Sequence, residues 1–211
     1  CMVLVLIDAR FGWAAFDPAA GGDPQLFRLL IRCFTSPAQN AIVLAALGTA
    51  AHVIAVRTRP SAAHAHAFAR VVAGLAVVGA FAWENPEASV ATDTLVTQVF
   101  AILNGGLFAL GFVVIGRSLW PLRGGGFSFD TAGIYALGFA VVFAFSLCGG
   151  LLLALPVTRL QLGGTTFATA HLHLFAFATG GLAFLAGLHA VWPRLAGRGF
   201  SEPVGRCAAL A

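Results

Sequence analysis

The sequence predicts an all-α integral membrane protein, a multi-span helical bundle, and three observations carry that expectation. Apolar residues make up 59% of the chain and charged residues only 9%, against roughly 25% charged in a soluble domain. Mean hydropathy is +0.91. The apolar residues fall into long runs separated by short polar connections, and each run has the length a membrane-crossing helix needs.

The elements follow in order. Residues 3–7 are uniformly apolar but too short to cross about 30 Å of hydrocarbon. They read as the tail of a transmembrane helix whose beginning is absent, with a lipid-modified Cys1 as the competing reading. The connection from Asp8 to Pro24, including Phe16-Asp-Pro-Ala-Ala-Gly-Gly-Asp-Pro24, is rich in turn formers and should stop helices. Five apolar segments come next, at roughly Leu26–Val56, Phe68–Trp83, Thr94–Ile115, Thr131–Leu155 and Thr166–Val191. The expectation is therefore five spans plus a partial first helix. Ala and Gly run through all of them, and small residues let membrane helices approach closely.

The chain has twelve basic residues, all Arg, and a formal net charge of +4. A basic balance can signal nucleic acid, but arginines spaced between apolar stretches belong to membrane topology, and no nucleic-acid partner is expected. Arg57, Arg59, Arg70, Arg117, Arg123, Arg194, Arg198 and Arg206 fall in alternate connections and the tail, so they share one side. Asp8, Asp17, Asp23, Glu84, Glu87 and Asp93 fall on the other, with Arg10 and Arg159. The positive-inside rule makes the arginine-rich side cytoplasmic or, in an organelle, matrix-facing. Cys1, Cys33, Cys148 and Cys207 form no CxxC pair and give no disulfide or zinc signal.

His171 and His173 lie deep in the last apolar segment, in Ala170-His-Leu-His-Leu174, where ionisable groups are expensive and therefore functional suspects. Positions two apart on a helix differ by roughly 200°, so the imidazoles leave opposite faces and cannot readily share one metal. Each could serve a separate ligand, and axial imidazole is a haem-iron ligand. On spacing alone, helix–helix hydrogen bonding by neutral His stays equally open. His64 and His66 sit beside the arginine-rich connection and read as solvated or interfacial. His189, near the end of its span beside Trp192, reads as an interfacial anchor, and Asn104-Gly-Gly106 as a close-packing site.

Several motifs in order bring in a family. Thr165-Thr-Phe-Ala-Thr-Ala-His-Leu-His173, followed by Gly187-Leu-His-Ala-Val-Trp-Pro193 and Gly197, resembles the haem-ligand helix of cytochrome c oxidase subunit I, of the haem-copper oxidase family. Phe16 to Pro24 resembles that family's Phe-Asp-Pro-Ala-Gly-Gly-Gly-Asp-Pro signature. Ala136-Leu-Gly-Phe139, with Gly124, Gly125 and Asp130, resembles its ninth helix and the loop before it. Trp83, Val90, Asp93 and Phe100 also fall on family positions. The resemblance covers nearly the whole chain, from the end of the family's fifth helix to just past its tenth, so that residues 1–211 read as a single transmembrane domain, a portion of a longer oxidase-like subunit.

The resemblance implies that His171 ligates a high-spin haem and His173 a low-spin one, whose second ligand comes from an earlier helix outside these residues. It also locates departures. The family's three copper ligands fall at Ser36, Asn85 and Pro86, and shifting the register does not restore them, because no His occurs between Ala67 and Ala170. His52 is 16 residues beyond Ser36, about 24 Å along a helix axis. Ser, Asn and Pro do not replace imidazole at copper. The family's proton-carrying Glu, ligand-linked Tyr and channel Lys fall at Ala38, Asn40 and Val114, and its outer metal pair at Gly163-Gly164. The only Tyr of the chain is Tyr135, and there is no Lys.

The expectation is a degenerate haem-copper-oxidase-like subunit that binds one or two haems without copper. It would serve electron transfer or structural support in a respiratory complex, reached indirectly by cytochrome c or quinone. Its place would be the bacterial inner membrane or the mitochondrial inner membrane, among other subunits and lipid. Two alternatives stand beside it: a working terminal oxidase of which this is a fragment, and a haem-free scaffold or assembly factor.

Overall fold

The computed structural model describes residues 2–81 and 95–210. The described residues are helical throughout their ordered elements: α1 (Met2–Phe11), α2 (Pro24–Thr58), α3 (Ala62–Phe81), α4 (Leu95–Leu119), α5 (Thr131–Ala154), α6 (Pro156–Leu162), α7 (Thr166–Leu172), a π-helical turn (His173–Ala178), α8 (Thr179–Ala196) and α9 (Glu202–Leu210). Among the described residues, five helical stretches are long and apolar enough to cross a bilayer: 34–58, 62–81, 101–124, 131–154 and 166–196. In hydrocarbon every backbone N–H and C=O must be satisfied within its own segment, which is why these runs become helices and nothing else. The chain is a multi-pass α-helical membrane protein, as the apolar runs predicted.

Element ends moved by a few residues, for local reasons. α1 runs past Asp8 to Phe11 and stops where Gly12 takes a left-handed conformation, its N–H bonded to the Asp8 carbonyl at 2.9 Å. The Phe16–Pro24 motif then closes on itself. Asp17 Oδ1 accepts from the Ala19 N–H at 2.9 Å, and the Gly22 N–H reaches the Asp17 carbonyl at 2.8 Å. A Cβ at Gly22 would lie 2.3 Å from the Ala14 carbonyl oxygen, so only glycine fits. α3 begins at Ala62, ahead of the expected Phe68, which puts His64 and His66 on its first turns. α9 was not foreseen: its Glu202 carboxylate accepts from the Thr131 N–H at 3.1 Å and hydroxyl at 3.0 Å, docking the tail onto the start of α5.

α5 is the central helix, packed against α2, α4 and α8. Leu47, Ile54, Val114, Phe139, Phe143, Leu147 and Ala186 are buried between them. Large apolar side chains such as Val77, Ile102, Phe145 and Phe184 face outward, which is ordinary where lipid rather than water is the surround. Close contact comes from small residues, as small-residue interfaces in membranes require. A Cβ at Gly150 would fall 2.1 Å from the Phe108 ring, and one at Gly187 2.7 Å from Thr49 Cγ2.

The alternation of connections is visible in the contacts. Arg57, at the end of α2, pairs with Asp130 before α5, donating from Nε to Oδ1 at 2.8 Å. His64 Nε2 lies 2.8 Å from the Arg117 carbonyl oxygen, joining the start of α3 to the end of α4. His189 packs its ring against Tyr135 and Phe200, with centroids 5.6 and 4.8 Å away. These contacts gather the arginine-rich connections and the tail at one end of the bundle.

Candidate functional site

The two histidines of the last span occupy different surroundings. α7 keeps α-helical geometry from Thr166 to Leu172 and widens into a π turn only from His173 onward, so the step between the histidines is the one expected for an α-helix. His171 points inward. Its ring stacks on Phe175 at 5.7 Å and meets the edge of Phe108 at 6.0 Å, and its Nδ1 is enclosed by protein. A Cβ at Gly149 of α5 would lie 3.0 Å from that nitrogen, so the glycine makes the cradle in which the imidazole rests. His173 points outward and is exposed, with Nδ1 2.8 Å from the Thr169 carbonyl oxygen and the ring 5.5 Å from Phe177.

The π turn itself has a visible anchor. The buried Thr179 hydroxyl donates to the Phe175 carbonyl oxygen, meeting a backbone acceptor that the widened turn displaces. Such turns occur often at functional sites in helices. Sequence periodicity assumed a uniform α-helix and contained no sign of it.

His171 lines a cavity of about 600 Å³. Ser36, Gln39 and Asn40 of α2 line it too, with Asn104 and Phe108 of α4, and Arg159 and Gly163-Gly164 of the α6 region. Two positions singled out separately in the sequence, Ser36 and His171, therefore share one chamber. Asn85 and Pro86 lie outside the described residues. Pro37 sits inside α2 and removes one intrahelical hydrogen bond beside Ser36. Asn40 is turned to structural use: its Nδ2 donates to the Gly79 carbonyl at 2.9 Å, tying α2 to α3. Val114 is fully buried in the apolar core. His52 lies on the same helix as Ser36 but lines other cavities, the larger about 650 Å³ in volume and bordered by Arg57, Asp130 and Arg194 at the arginine-rich end. Among the described residues no three His, Cys, Asp or Glu side chains converge.

The cavity thus offers one imidazole, several neutral hydrogen-bonding groups, two aromatic walls and one guanidinium. Sequence reasoning missed Phe108, Phe175 and Gly149. Each is an ordinary apolar or small residue in an apolar run, and only the helix packing brings it to the imidazole.

The fold and site define a multi-span membrane bundle with an inward histidine in the second turn of its span, lining a chamber with polar and apolar walls. The family "Cytochrome C and Quinol oxidase polypeptide I" matches residues 1–211, and the chain belongs to that family. It is similar to cytochrome c oxidase subunit 1 of Bacillus sp. (strain PS3), 28% identical over 207 residues, which cover 97% of this chain and 33% of that protein. It is similar also to the proteins of the same name from Synechocystis sp. (24% over 205 residues, 97% of this chain and 37% of that one) and Pecten maximus (24% over 213 residues, 97% and 43%). The chain spans about a third of the length of the curated bacterial relatives it matches.

Proposed function

We propose that the chain is a haem-holding, copper-free subunit of the oxidase type, serving electron transfer or structural support in a respiratory complex and reducing no oxygen itself. The observation that carries the reading is the single imidazole of the His171 cavity, which Ser36, Gln39 and Asn40 also line. Copper in such a chamber calls for several nitrogen ligands, and no His lies anywhere between Ala67 and Ala170.

The residues suit a haem. The chamber lies within the range of small-molecule and cofactor pockets, roughly 300–1,000 Å³. Gly149 holds the imidazole with Nδ1 inward, which leaves Nε2 as the nitrogen for iron, and Phe108 and Phe175 supply apolar walls. Bound there, haem supplies a one-electron iron centre whose potential is set by axial ligand and burial. His173, outward on the other face, would hold a second haem together with a ligand from elsewhere in the subunit. Gly149 fixes ring orientation, Phe108 and Phe175 exclude water, and Leu172 separates the two faces. The positions of the family's Glu, Tyr and Lys, here Ala38, Asn40 and Val114, carry no titratable side chain.

The likeness to proteins named cytochrome c oxidase subunit 1 supports placement in a respiratory complex of a bacterial or mitochondrial inner membrane. There the arginine-rich end would face the cytoplasm or matrix, with cytochrome c or quinone as indirect donor. Pyridine haemochrome assay, elemental analysis and oxygen consumption on the purified complex test the proposal. Haem without copper at this subunit supports it; stoichiometric copper would favour a working oxidase, and no haem a scaffold.

A further inference from the structure

One step of helix geometry decides which residue of Ala170-His-Leu-His-Leu174 faces inward. Thr179, Ala183 and Ala186 are buried and form the seam by which α8 packs into the bundle. Counted back from Thr179 along a uniform α-helix, Leu172 lies seven residues away, within about 20° of that seam. His171 lies eight residues away and overshoots two full turns by about 80°. A uniform helix would therefore turn the leucine inward and swing the imidazole aside. The structure shows the reverse. His171 Nδ1 is enclosed against Gly149 of α5, while Leu172, which also borders the chamber, stays exposed. The π turn at His173–Ala178 accounts for the difference, because it takes up about one residue more than an α turn and brings position 171 to where position 172 would have stood.

Thr179 supplies what the wider turn takes away. Its backbone N–H bonds to the Leu174 carbonyl, five residues back, and to that of Ala176. In an α-helix the same N–H would go to Phe175. The Thr179 hydroxyl donates to the Phe175 carbonyl oxygen in its place, wholly buried. Thr49 and Thr58 make the same back-bond to Ala45 and Ile54 in the regular helix of α2. There the hydroxyl adds to the helical ladder, whereas at Thr179 it stands in for a displaced N–H. A backbone carbonyl away from water needs a donor, so a hydroxyl at this position lowers the cost of the π turn.

Resting on the proposed haem at His171, we infer that Thr179 is a positioning residue for that imidazole. Through the Phe175 carbonyl it holds the π turn, and the turn holds the ring toward the chamber. Thr179 does not line the chamber and takes no part in iron ligation.

The test compares Thr179→Val, which exchanges the hydroxyl for a methyl of similar size, with Thr179→Ser, which keeps it. The full chain is purified in detergent, stripped of haem and titrated with haemin, and the Soret absorbance that His171→Ala removes defines the His171 band. Thr179→Val should weaken binding at that band by about tenfold or more, the range seen when groups that orient a metal ligand are altered. Thr179→Ser should stay near the wild type. A second reading needs no haem: a nitroxide on Leu172→Cys, with Cys1, Cys33, Cys148 and Cys207 replaced by Ser, reports exposure through its collisions with molecular oxygen. Adding Thr179→Val should turn that label inward and lower its accessibility, while circular dichroism shows the helix content unchanged. If Thr179→Val matches the wild type in both readings while His171→Ala removes the band, haem occupies the cavity and the Thr179 assignment is wrong. If the wild type shows no His171-dependent band, the haem reading fails and the nitroxide decides the turn. A label that stays exposed in Thr179→Val then overturns the inference, and one that turns inward upholds the helix geometry behind it.

Discussion

His171 Nδ1 lies 3.0 Å from the point where a Cβ on Gly149 would stand. One missing carbon on α5 thus sets the position of an imidazole on α7, and the ring has Phe175 and Phe108 on its other sides. Its open side is the cavity. Gly149→Val should drive the ring into the cavity and lower haem retention by about tenfold or more, in the range seen when groups that orient a metal ligand are altered. Haem content per chain after size-exclusion chromatography checks this. Gly149→Ser, smaller and polar, should do less.

The histidines should act separately. His171→Ala should remove one haem, and His173→Ala should disturb a different one, because the side chains leave opposite faces of a stretch that is α-helical up to Leu172. A methyl group offers iron no bond. Reduced-minus-oxidised spectra of the two variants should lose different bands. Unchanged spectra in both would make the pair structural.

The arginine-rich end should be acid-sensitive. Burial alone would raise the Asp130 carboxyl, but hydrogen bonds from Arg57 and the Gly133 N–H, with the Arg57 charge, outweigh it and hold the group below the ordinary carboxylate range. A carboxyl more acidic when folded binds fewer protons than its unfolded counterpart. Its stabilisation is therefore full above the unfolded value, about 4, and is lost as pH falls through the lowered folded one. Asp130 also caps α5 through the Gly133 N–H at 2.9 Å. Asp130→Asn keeps a capping residue and removes the charge, so it should lower the unfolding temperature at neutral pH and flatten the acid limb of the curve. Asp130→Ala loses the cap too and should cost a further 0.5–2 kcal/mol or about that range. Thermal unfolding in detergent between pH 3 and about pH 7 reads both effects.

Much of this was legible in the sequence because membrane physics leaves few choices. Runs of apolar residues must become helices, so five spans could be placed from composition, and arginines in alternate connections gave the sidedness that Arg57–Asp130 and His64–Arg117 display. His171 and His173 stood out because imidazole is rare in such runs. The chamber was not legible. Gly149, Phe108 and Phe175 are ordinary apolar-run residues until packing gathers them, and the π turn at His173–Ala178, whose Phe175 carbonyl accepts from the Thr179 hydroxyl, leaves no mark in periodicity. α9 escaped because its nine residues are mixed in character; the Ser201-Glu202-Pro203 start is a helix-opening pattern that could have flagged it.

The proposed function keeps an imidazole in the cavity for iron and gives copper up. Its most direct measurement is the iron and copper content of the purified chain, by elemental analysis, in wild type and His171→Ala. The wild type should contain haem iron and no stoichiometric copper, and the variant should lose iron. Stoichiometric copper assigned to the chamber beside Ser36, or iron unchanged by His171→Ala, would contradict it.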